Sequence, residues 1–139
     1  MRTLVLSEAN LDPSRAGSGS YQIAQLPEEE FAGGGMDALI AESKAYGNTM
    51  WAAALFRCAP CAVHRLPRCA LRGGDPLWRT ALYELPVQKE FIFGERSLPD
   101  ADYEELRRHG IRVETVPSAG HSMAWENPAG LAIAISRCL

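Results

Sequence analysis

Phe91-Ile92-Phe93-Gly94-Glu95, answered by Val116-Pro117-Ser118-Ala119-Gly120-His121-Ser122-Met123, decides how this chain is read. An apolar run ends on Gly94, a helical pattern follows, a second strand-like run appears, and a lone histidine then stands on a loop of small residues. Leu85-Pro86-Val87 leads into the first run, which predicts a compact strand over Lys89 to Phe93. Asp100 to His109 is amphipathic, with Tyr103, Leu106 and His109 on one side and Glu104, Arg107 and Arg108 on the other. Gly110 is placed to end that helix. Ile111 to Val116 alternates as a strand at a sheet edge does, with one face exposed. Asn127-Pro128 then opens a last helix, whose apolar side is read as Leu131, Ile133, Ala134 and Ile135.

Working outward, Thr3 to Ser7 is a short run with apolar residues on both faces, the pattern of a central parallel strand. Residues 10–20 hold Pro, Gly, Ser and Asn and predict a loop. From Tyr21 to Glu84 the pattern is helical and poor in strands. Pro27 with Glu28, Glu29 and Glu30 marks a helix start, Gly33-Gly34-Gly35 an interruption, and Met36 to Ala45 a resumption. Asn48 or Thr49 caps Met50 to Arg57, Pro60 starts the next helix, Pro67 ends or kinks it, and Asp75-Pro76 starts another that runs to about Glu84. About sixty residues of short helices exceed a simple β-α-β crossover. The expected fold is therefore α/β, a parallel sheet of about three strands with a helical insertion. Its core is expected over 1–20 and 85–139, and the insertion over 21–84.

Bulk composition narrows the function. The 139 residues carry 47% hydrophobic and 22% charged residues and a net charge of −3. With no basic excess to neutralise phosphates, a general nucleic-acid partner is excluded. No apolar run reaches the roughly 18–20 residues that span a bilayer, and the stretch before Glu8 is short for a signal peptide. A cytoplasmic protein that keeps off membranes is expected. Cys58-Ala59-Pro60-Cys61, with His64 and Cys69, invites a zinc reading, but no second C-x-x-C strengthens it. The preceding residues 50–57 read as helix rather than strand, so the context of a redox pair fails. These cysteines are read as small apolar fillers, and no metal or cofactor is expected.

The quoted stretches, together with Glu126-Asn127-Pro128, resemble the C-terminal signature of α/β-hydrolases. The likeness is strong over 86–139, where it implies the seventh and eighth strands and the loop of the catalytic histidine. Leu4-Val5-Leu6-Ser7-Glu8 resembles the sixth strand, and 21–84 occupies the position of the helical cap. The resemblance implies an enzyme of the esterase-like kind that hydrolyses a small-molecule substrate through a nucleophile–His–acid triad. It implies His121 as the base that takes the nucleophile's proton. It also implies an apolar pocket shaped by the cap, with Trp51, Phe56, Trp78 and Tyr83 as candidates.

Two triad members need separate treatment. Many members carry an acid where this chain has Ser97, three residues after Gly94. The acid is therefore sought at Glu8, which ends the sixth strand, or at Asp100, three residues further on; Asp12 and Asp102 are weaker choices. No strand followed by G-x-S-x-G occurs, and Ser18 in Gly17-Ser18-Gly19 follows a loop. Without nucleophile or oxyanion donors the chain alone is expected to be inactive. Two functional readings remain open. One is the C-terminal portion of a hydrolase, truncated or split, that needs a missing N-terminal half or a second copy. The other is a non-catalytic remnant that binds a small ligand or a partner.

Overall fold

The computed structural model describes residues 2–138, which divide into two compact units. One comprises residues 1–10 with 80–139, the other residues 11–79. The boundaries expected after residues 20 and 84 fall inside a helix and at the end of another, whereas the observed division lies after residues 10 and 79.

The first unit contains strands β1 (Thr3–Ser7), β2 (Gln88–Gly94) and β3 (Arg112–Val116), all parallel and in the order β1-β2-β3. The register pairs Ser7 with Ile92 and Gly94 with Val116, so the three strands deliver their carboxyl ends to one edge. The central strand is β2, and its run Phe91, Ile92 and Phe93 is at most 3% exposed. Burying side chains of this size contributes about 1.5–3 kcal/mol each. β1 has one hydrogen-bonded neighbour among the described residues and is half-buried, so it is an edge strand here rather than a central one.

Alternation along β2 builds two layers. Phe91 and Phe93 touch one another, and Phe93 meets Tyr103 of α7 (Ala101–Arg108), whose Leu106 is fully buried. Ile92 points to the opposite face. There it packs with Val116, Ala119, Met123, Ala134 and Cys138, the last four from the 117–122 loop, α8 (Met123–Glu126) and α9 (Pro128–Arg137) with its C-cap. Asn127 caps α9 by accepting from Gly130 N at 2.8 Å. Only part of the expected apolar side of α9 is inward. At 100° per residue Leu131, Ala134 and Cys138 share one face, Ile135 (38% exposed) stands at its border, and Ile133 (53%) is turned away from it. Cys138 is sealed in this core, where burial first and the Glu90 carboxylate second push its thiol up to about 12. Such a thiol is inert.

The second unit is built from α1 (Gly19–Gln25), α2 (Glu28–Glu30), α3 (Met36–Ala45), α4 (Thr49–Leu55) and α5 (Pro60–Arg72); α6 (Trp78–Glu84) crosses its boundary. Gly33-Gly34-Gly35 interrupts the helical run as expected: Gly34 leaves helical geometry (φ 171°, ψ −22°), and the chain kinks there between α2 and α3. Pro67 does not end its helix. It sits buried inside α5, where the ring's packing offsets the backbone hydrogen bond it cannot make. The core here is Phe31, Met36, Ile40, Ala52 and Leu55. Fully buried His64 donates from Nε2 to Leu26 O at 2.7 Å, which ties α5 to the end of α1.

Ile92→Ala is expected to cost about 2–5 kcal/mol in denaturant-induced unfolding, whereas Ile133→Ala should stay within about 0.5 kcal/mol of the parent. Equal losses for the two would contradict this assignment of the α9 faces.

Candidate active site

Glu8 follows the last residue of β1 and continues the ladder by donating its backbone N–H to Ile92 O at 3.0 Å. Its φ of 39° is left-handed, an uncommon conformation for a residue with a side chain. That turn lays the carboxylate across the end of β2. Oε1 accepts from Gly94 N at 2.7 Å, and Oε2 meets His121 Nδ1 at 2.9 Å.

His121 reaches this position through its loop, which hydrogen bonds rather than regular structure hold in place. Ala119 is fully buried in the sheet core and anchors the loop. Its carbonyl accepts from Arg96 N at 2.8 Å. Ser118, left-handed at φ 54°, donates its N–H to Glu95 Oε2 at 2.7 Å. Gly120 N donates to Glu126 Oε2 at 2.6 Å, and Asn127 Nδ2 to Pro117 O at 2.9 Å. Gly94 makes the close approach feasible, because a Cβ there would lie 2.6 Å from Ala119 O. The short turn Glu95–Ser97 and the loop 117–120 thus lock each other above the carboxyl ends of β2 and β3.

The electrostatics follow from this arrangement. The Glu8 side chain is 9% exposed and the His121 side chain 76%. Burial would raise the Glu8 carboxyl, but hydrogen bonds from Ser97, Gly94 and His121 outweigh it and hold the group below the ordinary carboxylate value. An ionised Glu8 can only accept, so Nδ1 of His121 is the donor. Nε2 of the neutral ring then carries the lone pair, and no hydrogen bond from the described residues occupies it. A sheltered carboxylate that orients an exposed imidazole is the arrangement a general base requires.

The two proposed acids part company here. Glu8 lies against His121, whereas Asp100 caps α7, with Oδ1 accepting from Asp102 N at 2.8 Å. No hydrogen bond joins Asp100 to His121 among the described residues. Asp12 belongs to the other unit and pairs through both oxygens with Arg79 at 2.9 and 2.6 Å; Asp102 lies in the first turn of α7. Ser18 caps α1 by accepting from Tyr21 N at 3.1 Å. Sequence reasoning missed the roles of Glu95, Arg96 and Glu126 as latches of the histidine loop. The signal was present, since carboxylates flanking a loop rich in Gly, Ser and Pro are available for its unpaired N–H groups.

No group of three or more His, Cys, Asp and Glu side chains that could hold a metal occurs among the described residues. Cys58, Cys61 and Cys69 are exposed and free. No helix among these residues is long and apolar enough to cross a membrane. In the helical unit, Ile23, Leu39, Trp51, Val63, Leu66 and Trp78 line an almost wholly apolar cleft of about 700 Å³. Of the aromatic residues considered for a pocket, Trp51 and Trp78 are there. Phe56 is 81% exposed outside the lining, and Tyr83 stacks on His109 at 3.8 Å in the sheet unit. Compared with known proteins, the chain matches no family model and no curated protein.

Because the folded Glu8 value is depressed, its contribution to stability is complete above about 4.5 and is lost as pH falls through the folded value. Glu8→Gln should therefore be less stable than the parent near neutrality, and the two should converge between pH 4.5 and lower pH when unfolding is followed by denaturant titration. Parallel acid curves would show that the Glu8 contacts do not stabilise the ionised form.

Proposed function

We propose that this chain supplies the acid–base pair of an α/β-hydrolase, with His121 as base and Glu8 as acid, for an esterase-like reaction on a small-molecule substrate. The contact that carries this reading is Glu8 Oε2 to His121 Nδ1, 2.9 Å, at the carboxyl edge of parallel strands. Ligands gather at that edge in open α/β sheets. In this reading β1, β2 and β3 correspond to the sixth, seventh and eighth strands of the family. The helices between β1 and β2 take the cap's role. Asp100 is set aside as the acid because its carboxylate is committed to capping α7.

The chemistry assigned to these residues is limited and definite. His121 Nε2 takes the proton of an attacking hydroxyl as that oxygen bonds the substrate carbonyl carbon. It returns the proton to the departing alkoxide when the ester C–O bond breaks, and then serves water in the same way. Glu8 keeps the Nδ1–H tautomer in place and stabilises the imidazolium while it carries two protons. The nucleophile and the oxyanion donors lie outside the residues of this chain, on an N-terminal half. The open side of β1 supports this, because a parallel strand paired there would end beside Glu8. No metal, cofactor, nucleic acid or membrane enters the scheme. In this reading the protein is cytoplasmic.

The apolar cleft of the helical unit favours a second reading, a non-catalytic module that binds a small apolar ligand. One experiment separates the two. The gene is expressed with its native upstream sequence and the product is treated with a serine-directed phosphonate. The hydrolase reading expects labelling on a serine outside this chain, slowed by roughly three orders of magnitude or more in His121→Ala. An upstream sequence without a strand and G-x-S-x-G, together with no labelling of the product, overturns it. Binding of an apolar fluorescent probe, weakened by Trp51→Ala, then establishes the second reading.

A further inference from the structure

We infer that Arg96 is a positioning residue for His121: its guanidinium holds the histidine loop at two points and so sets the aim of the ring at Glu8. The inference rests on the reading of His121 and Glu8 as base and acid, but its test needs no turnover. No helix or strand fixes residues 117–120, so the polar groups of their backbone need partners from elsewhere. Arg96 supplies them in three ways. Its backbone N–H donates to Ala119 O at 2.8 Å, its Nη2 donates to Ser118 O at 2.5 Å, and its Nη1 stands 3.6 Å from Glu126 Oε1. Glu126 in turn accepts from Gly120 N through Oε2 at 2.6 Å. The three residues that precede His121 are thus bound to Arg96, directly or through one carboxylate.

Ser118 shows why the side chain matters and not the backbone alone. It is a non-glycine residue at φ 54°, a conformation that persists only where the surroundings enforce it. Its N–H is taken by Glu95 Oε2 and its carbonyl by the Arg96 guanidinium, so the peptide planes on both sides of the left-handed Cα are clamped. Without the guanidinium the second plane loses its restraint against rotation about ψ of Ser118, and that plane leads directly toward His121. The ion pair with Glu126 is the smaller part. Arg96 is 61% exposed and Glu126 34%, so water and salt weaken their attraction. The hydrogen bond to Ser118 O carries the effect, because it fixes a direction as well as a distance. No hydrogen bond or ion pair joins Arg96 to His121 among the described residues; Arg96 acts through the loop.

The test is the ¹⁵N spectrum of the His121 ring in the full chain, at a pH where the ring is uncharged, with denaturant unfolding as a parallel readout. Arg96→Ala should lower the ratio of Nδ1–H to Nε2–H tautomer roughly threefold to tenfold, the worth of about one hydrogen bond. Arg96→Lys should recover much of that loss, since an ammonium still donates to a carbonyl. Should Arg96→Ala fail to fold, Arg96→Met keeps the aliphatic stem, removes only the guanidinium, and should give the same fall. A ratio unchanged in the alanine or methionine variant overturns the inference even where stability drops, because a merely structural role lowers stability and leaves the tautomer alone. A lysine variant no better than alanine also overturns it. A protein that no phosphonate labels sinks the hydrolase reading and leaves these tautomer ratios as they were, so the two failures are told apart.

Discussion

A carboxylate with 9% exposure can stay ionised only if its oxygens are met by donors, and the geometry around Glu8 supplies one for each oxygen. Gly94 donates to Oε1 from the end of β2, and His121 meets Oε2 from the loop after β3. Glu8 itself comes from the end of β1. The carboxylate is thus the point at which the carboxyl ends of all three strands are tied together. Parallel strands joined by crossovers bring such ends to one edge as a matter of topology, and it takes a polar group to use them. Much of the local structure follows from accommodating that group: the left-handed turn at Glu8, the bare Gly94, and the carboxylate latches on the histidine loop.

In the proposed reading, the division between an exposed His121 and a sheltered Glu8 is what gives the pair chemical direction. Were both exposed, water would screen the contact, and His121 would behave as an ordinary surface histidine. Were both buried, the base would not be reachable. With Glu8 sheltered and Nε2 outward, the proton on Nδ1 is fixed on the acid's side and the lone pair faces the outside. The helical unit contributes something different. Its cleft is lined by two indoles and aliphatic side chains, and its buried His64 is spent on backbone tethering rather than chemistry.

The sheet was legible because its signals are short-range. Thr3 to Ser7, Lys89 to Phe93 and the alternation before Val116 each place a strand within a residue or two of its observed bounds. Helix starts were equally readable at Asn48 and Asn127, whose side chains accept from their own helix's first turn, and at Pro60, whose fixed φ suits the first helical position. What failed depended on three-dimensional packing. Pro67 stays inside α5 with its ring buried, and Ile133 is turned outward by the pitch of α9. At the site, His121 was legible from its small-residue loop. The choice between Glu8 and Asp100 was not, since both lie near the same sheet edge in sequence terms and only one reaches the ring.

The central claim is that Glu8 fixes the proton of His121 on Nδ1 and leaves Nε2 free to accept one. The most direct measurement is the ¹⁵N spectrum of the His121 imidazole, recorded at a pH where the ring is uncharged. The dyad predicts a dominant Nδ1–H tautomer that is lost in Glu8→Gln. A dominant Nε2–H tautomer in the parent, or a spectrum indifferent to Glu8, would contradict it.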